Sequence, residues 1–501
     1  MNDVESFGLK IGKRTFITTA AMLLGVMIFA FILTQMVPMG VYQRTITDGR
    51  EVVVADSFTQ TEGARLPVWR VVTAPFEVFA GPDAMTAIMI ILSIMLIGGV
   101  FLILDKCGLI QHSMKLVIRR FEKRKYVLLA AVTLFGMVLG AGMGLFEETV
   151  ILAPIAVALS LSLGWDALVG AGMSLMAVGF GFAAGVFNPF TTGVAQRLAG
   201  LPLFSGLWLR AIVFAIVYGL LLSFLMIYAR RIEKNPEKSL LYGLKTTAGT
   251  AAGTKTTAAA GVISKDPAVA GNLSEEEQPE VSKKFSRALK FFGFSLLSIA
   301  VYITAGLFVP ALTDYSMPVI ALAITIGGVV AGLLTGYSRV FRDFGKGIVS
   351  FLPSVVLLML AMSVKQIFVS GGIMDTLLHY AYSVVSRSGP LNSLLIVFLF
   401  VLCLEFFIGG ASSKAFLVIP LIAPLAELIG LTRQSIVLAF TFGDGFANVI
   451  YPTNAVLLIV LGILGIPYLT WFKWTWKIQT VLVGVCVGLL VLSYFAGYGP
   501  F

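Results

Sequence analysis

Apolar stretches of about twenty residues recur along the whole chain, and they restrict its fold more than any other feature. The runs at 15–37, 85–104 and 207–229 are three of them. A helix of about 20 apolar residues spans the hydrocarbon core of a bilayer. With 58% hydrophobic and only 12% charged residues among 501, the chain has the composition of an all-α polytopic membrane protein.

Basic residues lie mainly in short segments beside these apolar runs, with the densest group between 106 and 125. Because short loops rich in Lys and Arg stay in the cytoplasm, the pattern predicts a multi-pass protein of the inner (cytoplasmic) membrane. Its N-terminus is expected inside and its C-terminus outside. The net charge of +10 is therefore explained by the basic loops that set the orientation of the protein in the membrane, and it does not indicate nucleic-acid binding. Three scattered cysteines and two histidines indicate neither a disulfide framework nor a histidine metal site.

One apolar segment, Tyr126 to Gly164, carries adjacent carboxylates at Glu147 and Glu148, just after a cluster that includes Gly142 and Gly144. Glycines break a helix and let backbones approach closely. Each arm has about 15 residues and, at about 1.5 Å per residue, falls short of the ~30 Å core. The segment therefore predicts a re-entrant hairpin that opens to the cytoplasm, with two ionisable groups at its tip.

A second segment of the same design runs from Asn392 to Gly430, with Gly410, Ser412, Ser413 and Lys414 at its tip. It predicts a second hairpin, which opens to the outside. Each hairpin is followed by an apolar run with a polar interruption, and corresponding positions in the two halves are about 265 residues apart. This duplication, with an odd number of crossings between the copies, predicts two inverted repeats.

The polar interruptions predict two broken helices, at 165–199 and 435–464. Pro189 and Pro452 each lack an N–H and so free a carbonyl of the preceding turn. Unwound carbonyls and half-helix ends at mid-membrane bind ions and charged substrate groups. Asp444, an acidic residue between glycines, lies in the second of these runs.

The predicted organisation follows from these elements. Short pairing segments are expected in the extracytoplasmic loop, around 51–54. The parts are a cytoplasmic N-terminus and first membrane helix (1–37), an extracytoplasmic loop (38–80), a first repeat (81–231), a flexible cytoplasmic linker (232–286) and a second repeat (287–501).

The candidate substrate- and ion-binding residues are those of the two tips and the two helix breaks. A sodium site is predicted at backbone and side-chain oxygens of Asn188 and Asn454. The full set is Gly142, Gly144, Glu147, Glu148, Asn188, Pro189, Thr191, Thr192, Gly410, Ser412, Ser413, Lys414, Asp444, Asn448, Pro452, Thr453 and Asn454.

The roles of these charges remain open at this stage. Glu147 and Glu148 can bind a cation, carry a proton or share one between them, since close like charges raise one pKa. Lys414 can replace a bound cation, bind a substrate carboxylate or extend its ammonium to the membrane surface. Glu405 and Lys365 are candidate partners for the charges of the site. Trp471, Trp474 and Trp476 are expected in an aromatic belt at a membrane edge.

Three strings carry a resemblance to a known family: GMGLFEETV, FNPFTTGVAQRLAGLP and IPLIAPLAELIGLTRQSIVLAFTFGDGFANVIYPTN. They resemble YfcC-type carriers, which are grouped with C4-dicarboxylate anaerobic carriers and ArcD-like arginine/ornithine antiporters in the ion transporter superfamily. The resemblance implies a scaffold domain, a mobile transport domain built of hairpins and broken helices, an elevator mechanism, a homodimer and often sodium coupling. Relatives are expected to carry a neutral polar residue at the position of Lys414, so that this chain differs from them there.

Three functions remain open. The first is a secondary carrier for an amino acid, with a basic one or an arginine/ornithine-like exchange favoured by the central carboxylates. The second is a carrier for a C4-dicarboxylate or another small carboxylate. The third is a membrane-embedded enzyme, which is disfavoured because a Ser–Lys pair at the second tip is its only candidate nucleophile. No cofactor is predicted, and sodium and a proton are the candidate coupling ions.

We predict the topology that the basic loops imply. Single cysteines near Lys123 and Ser274 should be labelled from the cytoplasm, and one at Phe501 from outside, because Lys- and Arg-rich loops are retained inside. Accessibility labelling in intact cells and in opened vesicles measures this. Labelling of Ser274 and Phe501 from one side would contradict the inverted repeats.

Overall fold

A computed structural model describes residues 13–47, 50–54, 56–63, 65–81, 84–109, 112, 124–144, 146, 149–242, 277–308 and 316–499. Within these ranges eight helices are long and apolar enough to cross a membrane. The prediction of an all-α polytopic membrane protein is confirmed. The longer helices of the first half are Lys13–Met36, Ala84–Lys106, Lys125–Met143, Thr149–Ser162, Ala167–Ala184 and Leu207–Lys234. Those of the second half are Glu277–Phe308, Ser316–Leu334, Val340–Ser350, Leu352–Ser370, Met374–Ser386, Pro390–Glu405, Ala411–Leu428, Arg433–Gly445, Ala455–Leu464 and Tyr468–Phe495.

The first hairpin consists of Lys125–Met143 and Thr149–Ser162. Gly144 ends the first arm in the left-handed conformation, at φ 66°, which glycine adopts without strain. At the open end the rings of Tyr126 and Trp165 are 5.7 Å apart, so both arms return to the same side of the molecule. The first arm packs on the helix that follows the hairpin.

That following helix is the first broken helix. It runs from Ala167 to Ala184 with a π-helical turn at Gly172–Met176. Gly185 ends it at φ 55°, and the chain resumes as Pro189–Gly193 and Val194–Leu198. The interruption lies where the sequence places Pro189, because proline cannot donate to the preceding turn.

The second hairpin consists of Pro390–Glu405 and Ala411–Leu428, joined by a turn in which Gly410 has a φ of 93°. Both arms pack on Arg433–Gly445, the first half of the second broken helix. This helix continues as a 3₁₀ turn, Phe446–Val449, and resumes as Ala455–Leu464.

The two broken helices cross through small residues. A Cβ on Gly445 would collide with the backbone of Ala183, and a Cβ on Gly185 would meet the side chain of Thr441 at 2.8 Å. The second arm of each hairpin also contacts the far half of the other broken helix: Thr149–Ser162 packs on Ala455–Leu464, and Ala411–Leu428 packs on Val194–Leu198. The two halves of the chain are therefore interlocked.

The segment after the first helix forms two small antiparallel ribbons, Gly40–Val41 with Thr59–Gln60 and Arg44–Thr47 with Arg50–Val53. The pairing predicted around 51–54 is therefore present. The ribbons are held to the helix Met374–Ser386 by Asp375, which accepts from Tyr42 N at 2.9 Å and from Arg44 Nη2 at 2.8 Å. Burial, with nearby Tyr382, Asp375 and Asp56, raises the pKa of Tyr42 to about 12.

Two expectations need correction. The linker was predicted to extend to 286, but a helix already begins at Glu277. Of the three tryptophans expected at the membrane edge, Trp471 and Trp474 are buried, and Trp476 is exposed. The reason is that Trp471 donates its indole N–H to Val449 O at 2.7 Å, inside the second helix break.

We predict that Gly445→Ala lowers the melting temperature of the purified protein by several degrees, because the new methyl group collides with the Ala183 backbone at the crossing. Gly488→Ala is the matched control, since a Cβ there meets no atom within 4 Å. The control should leave stability unchanged or raise it slightly. Equal melting temperatures for Gly445→Ala and the wild type would contradict this crossing.

Candidate functional site

Three charged side chains from three elements meet at the tip of the second hairpin. Glu405 is the last residue of its first arm, and Lys414 lies in the first turn of its second arm. Asp444 comes from the first half of the second broken helix. The short turn through Gly410 reverses the chain, and packing of both arms on the broken helix brings the three together.

The three side chains form a buried ion cluster, which we call the Lys414 cluster. Lys414 Nζ lies 2.7 Å from Asp444 Oδ1 and also contacts Glu405 Oε2. The side chains of Lys414, Glu405 and Asp444 are 1%, 2% and 1% exposed. Lys414 therefore does not extend to the membrane surface.

Burial makes the three charges of the Lys414 cluster depend on one another. A single charge removed from water costs several kcal/mol unless an opposite charge is held in good geometry. Here one ammonium faces two carboxylates, so the three groups carry a net negative charge when all are ionised. Lys365, on Leu352–Ser370, is close enough to act electrostatically on Lys414 and adds a second positive charge to the surroundings.

The second helix break supports the cluster through a chain of amides. Asn448 Nδ2 donates to Asp444 O at 3.0 Å and thereby ties the break to the backbone of the acidic residue. Asn454 Nδ2 donates to Asn448 Oδ1 at 2.7 Å, and its own Oδ1 caps the next helix by accepting from Leu457 N at 3.1 Å. Thr453 Oγ1 is buried without a partner among the described residues.

The first helix break is built in a similar way. Asn188 Oδ1 accepts from Thr191 N at 3.2 Å, and its Nδ2 lies 3.3 Å from Phe182 O. Thr192 Oγ1 donates to Gly185 O at 2.9 Å. Since Gly185 lies against Thr441, one turn before Asp444, the first break and the Lys414 cluster belong to one junction.

The remaining predicted residues are distributed around this junction. Gly144 lies at the tip of the first hairpin beside Phe146, which contacts the ring of Phe182. Glu147 and Glu148 lie outside the described residues. Gly142, Pro189, Pro452, Ser412 and Ser413 are half-buried, and Gly410 is exposed.

The predicted sodium site stays a prediction. The side-chain oxygens of Asn188 and Asn454 each accept a backbone N–H, from Thr191 and from Leu457. Among the described residues no group of three or more His, Cys, Asp and Glu side chains has the arrangement of a metal site.

Two residues of the junction were not in the predicted site. Glu405 was named only as a possible partner, although a carboxylate in an apolar arm is itself a signal of function. Trp471 was assigned to the membrane edge, because a tryptophan beside lysines at the end of an apolar run is typical of an interface. Its contact with Val449 joins residues 22 positions apart across a turn, and local patterns do not show such contacts.

The eight candidate membrane spans are those of an integral membrane protein, and its family is one of membrane transporters, as predicted, rather than of enzymes. Its family is shown by sequence. The chain belongs to the DcuC family, the C4-dicarboxylate anaerobic carriers, whose profile matches residues 17–494.

Two relatives illustrate its place in that family. The chain is 29% identical over 417 residues to "Putative basic amino acid antiporter YfcC" of Escherichia coli (strain K12), across 80% of this chain and 76% of that protein. It is 25% identical over 413 residues to a protein of Haemophilus influenzae whose function is uncharacterized, across 81% and 75% of the two chains. The resemblance predicted from the sequence is confirmed.

Two solved structures are more distantly similar. The YdaH transporter of Alcanivorax borkumensis is 17% identical, with a TM-score of 0.43. The superposition covers 96% of this chain and 100% of the YdaH chain. The efflux pump MtrF of Neisseria gonorrhoeae is 15% identical with a TM-score of 0.42, and covers 94% of each chain.

We predict that Lys414→Met lowers the free energy of unfolding by about 3–5 kcal/mol, because Glu405 and Asp444 are then left as uncompensated buried carboxylates. Adding Asp444→Asn should restore part of this loss. Thermal unfolding in detergent at fixed pH measures both. Lys473→Met, at an exposed lysine, is the control. Losses that simply add in the double variant would show that the two residues are not coupled.

Proposed function

We propose that the protein is a secondary carrier for a basic amino acid, working by exchange or by ion coupling, and that Lys414 acts in it as a tethered cation. The observation that carries this proposal is the pairing of Lys414 Nζ with Asp444 Oδ1 at 2.7 Å and with Glu405, away from solvent. In this role the lysine holds the place that a coupling cation or a cationic substrate group would otherwise occupy.

The charge of the junction supports a cationic ligand. A substrate carboxylate would have to approach Lys414 against two carboxylates that already surround it, and like charges repel strongly where the dielectric is low. An ammonium or guanidinium group instead meets Asp444 and Glu405 as a competitor of Lys414. Release of Lys414 from one carboxylate and entry of the substrate cation keep the buried charge balanced.

An elevator-like movement is part of the proposal. The hairpins and broken helices would move as one transport domain, since each hairpin packs on both broken helices. The helices Ala84–Lys106, Glu277–Phe308, Ser316–Leu334 and Val340–Ser350 pack mainly on one another and would form the scaffold. Sodium or a proton would be the coupling ion, and a homodimer would hold the scaffolds in place.

A carrier for a C4-dicarboxylate is the second candidate. It is favoured by the description of the family and by Lys365, whose positive charge acts on the cluster from a different helix. In that case Lys365, rather than Lys414, would face the carboxylates of the substrate.

The test is uptake into proteoliposomes loaded with arginine, ornithine, a neutral amino acid or succinate, with and without a sodium gradient. We expect counterflow of the basic amino acids. Lys414→Ser should make transport dependent on sodium, because a free cation must then take the place of the tethered one. Glu148→Gln should weaken the apparent affinity for the basic substrate or the coupling cation at least tenfold, which corresponds to ~1.4 kcal/mol.

The outcomes separate the two candidates. Exchange of succinate but not of arginine would replace the first function by the second. If Lys414→Ser weakens substrate binding without any new dependence on sodium, Lys414 binds the substrate and is not a tethered cation. Lys473→Ser controls for the loss of a lysine elsewhere on the same chain.

A further inference from the structure

A second buried cation, Arg210, lies far along the chain from the Lys414 cluster. It is in the first turn of Leu207–Lys234 and is only 2% exposed. Its Nη2 donates to Ser205 O at 2.9 Å. Its Nε is fully enclosed and has no hydrogen-bond acceptor among the described residues.

Arg210 lacks the carboxylate partner that three other arginines of the described chain have. Arg44, Arg70 and Arg433 each pair with a carboxylate at 2.8 Å. No described carboxylate lies within ion-pair distance of Arg210, and the ionisable group that acts on it electrostatically is the hydroxyl of Tyr498. A buried guanidinium without a counter-charge is costly, and among the described residues no carboxylate balances the charge of Arg210.

The groups around Arg210 are neutral and mostly fixed to one another. Gln196 Nε2 donates to Ser205 O at 2.9 Å, and Gln434 Nε2 donates to Ser205 Oγ at 3.0 Å. Tyr498 donates to Gly206 O at 2.5 Å. Arg210 thus lies where four segments meet: the end of the first broken helix, the loop after it, the start of the second broken helix and the C-terminal region.

The start of the helix adds to the positive potential. Gly206 is the N-cap of this helix and turns the chain at φ 69° directly before Leu207. As a glycine, it has no side chain that could accept a hydrogen bond from the first turn. The N–H groups of a first helical turn lack intrahelical acceptors, and the helix dipole places partial positive charge there. The N-terminus of this 28-residue helix and the guanidinium of Arg210, in its first turn, are therefore two sources of positive charge at the same end of the helix.

We propose that Arg210 is the centre of a binding site for an oxyanion, a carboxylate or phosphate group, at the start of Leu207–Lys234. The Nε–H provides the unfilled donor, and the charge of the anion offsets that of the guanidinium. Such a ligand would hold together the four segments that meet at Ser205 and Gly206. This site is separate from the proposed transport site, and it does not depend on the substrate that is carried.

The oxyanion can come from solution or from a lipid headgroup. Leu203, Leu207 and Trp208 beside the site are apolar and 49%, 37% and 52% exposed, as is typical of residues that face lipid. A phosphate group of a neighbouring lipid and a soluble carboxylate would use the same chemistry at Arg210. The experiment therefore includes one arm for each source.

The soluble arm measures the melting temperature of the full-length protein in a neutral detergent, while acetate or inorganic phosphate replaces a bulky sulfonate at constant ionic strength. The wild type should be stabilised in a saturable way. Arg210→Gln should need at least a tenfold higher concentration of anion, and Arg210→Lys an intermediate one, because lysine keeps the charge but lacks the fork of donors. Arg433→Gln is the matched control, since that arginine already pairs with Glu427.

The lipid arm compares nanodiscs of phosphatidylcholine with nanodiscs that contain phosphatidylglycerol, followed by native mass spectrometry. If the ligand is a lipid phosphate, phosphatidylglycerol should remain bound to the wild type and be lost from Arg210→Gln. Identical responses of the wild type, Arg210→Gln and Arg210→Lys in both arms would overturn the proposal. If Arg210→Gln does not fold, Arg210→Lys alone decides between the two outcomes.

Discussion

The pairing of one ammonium with two carboxylates inside the protein is the interaction on which the architecture of the second hairpin depends. Lys414, Glu405 and Asp444 come from the two arms and the neighbouring broken helix, and the groups tolerate burial only while they are together. Replacing such a cluster by apolar residues is often neutral or stabilising in other proteins. Its presence here, at the junction of two interrupted helices, is therefore better explained by function than by stability.

Close approach of the backbones is the second requirement of this junction. Hydrophobic burial cannot drive helices together inside a bilayer, because lipid tails are as apolar as the side chains they would replace. The chain places glycine and alanine where the broken helices cross, so that Gly445 lies on Ala183 and Gly179 lies on Val449. Close packing then brings polar backbone groups of the interruptions, such as the carbonyl of Val449, within reach of partners like Trp471.

Much of this arrangement could be predicted from the sequence, because the relevant signals are local. Apolar length predicted the helices that are candidate membrane spans, and glycines and prolines predicted the turns of the hairpins and the interruptions of the helices. Glu405 and Lys365 could be named as partners of the central charges, since intramembrane ionisable groups are too costly to remain alone. The inward position of Trp471 and the isolated charge of Arg210 could not be predicted, because both depend on contacts between segments that are distant in sequence.

Each hairpin packs on the broken helix of the other half of the chain, and this has a consequence for the synthesis of the protein. Thr149–Ser162 packs on Ala455–Leu464, and Ala411–Leu428 packs on Val194–Leu198, so each half buries a surface that only the other half can cover. During synthesis this surface of the first half stays without its partner until the last quarter of the chain has been made. A premature stop in the second half would therefore leave this surface of the first half without its partner.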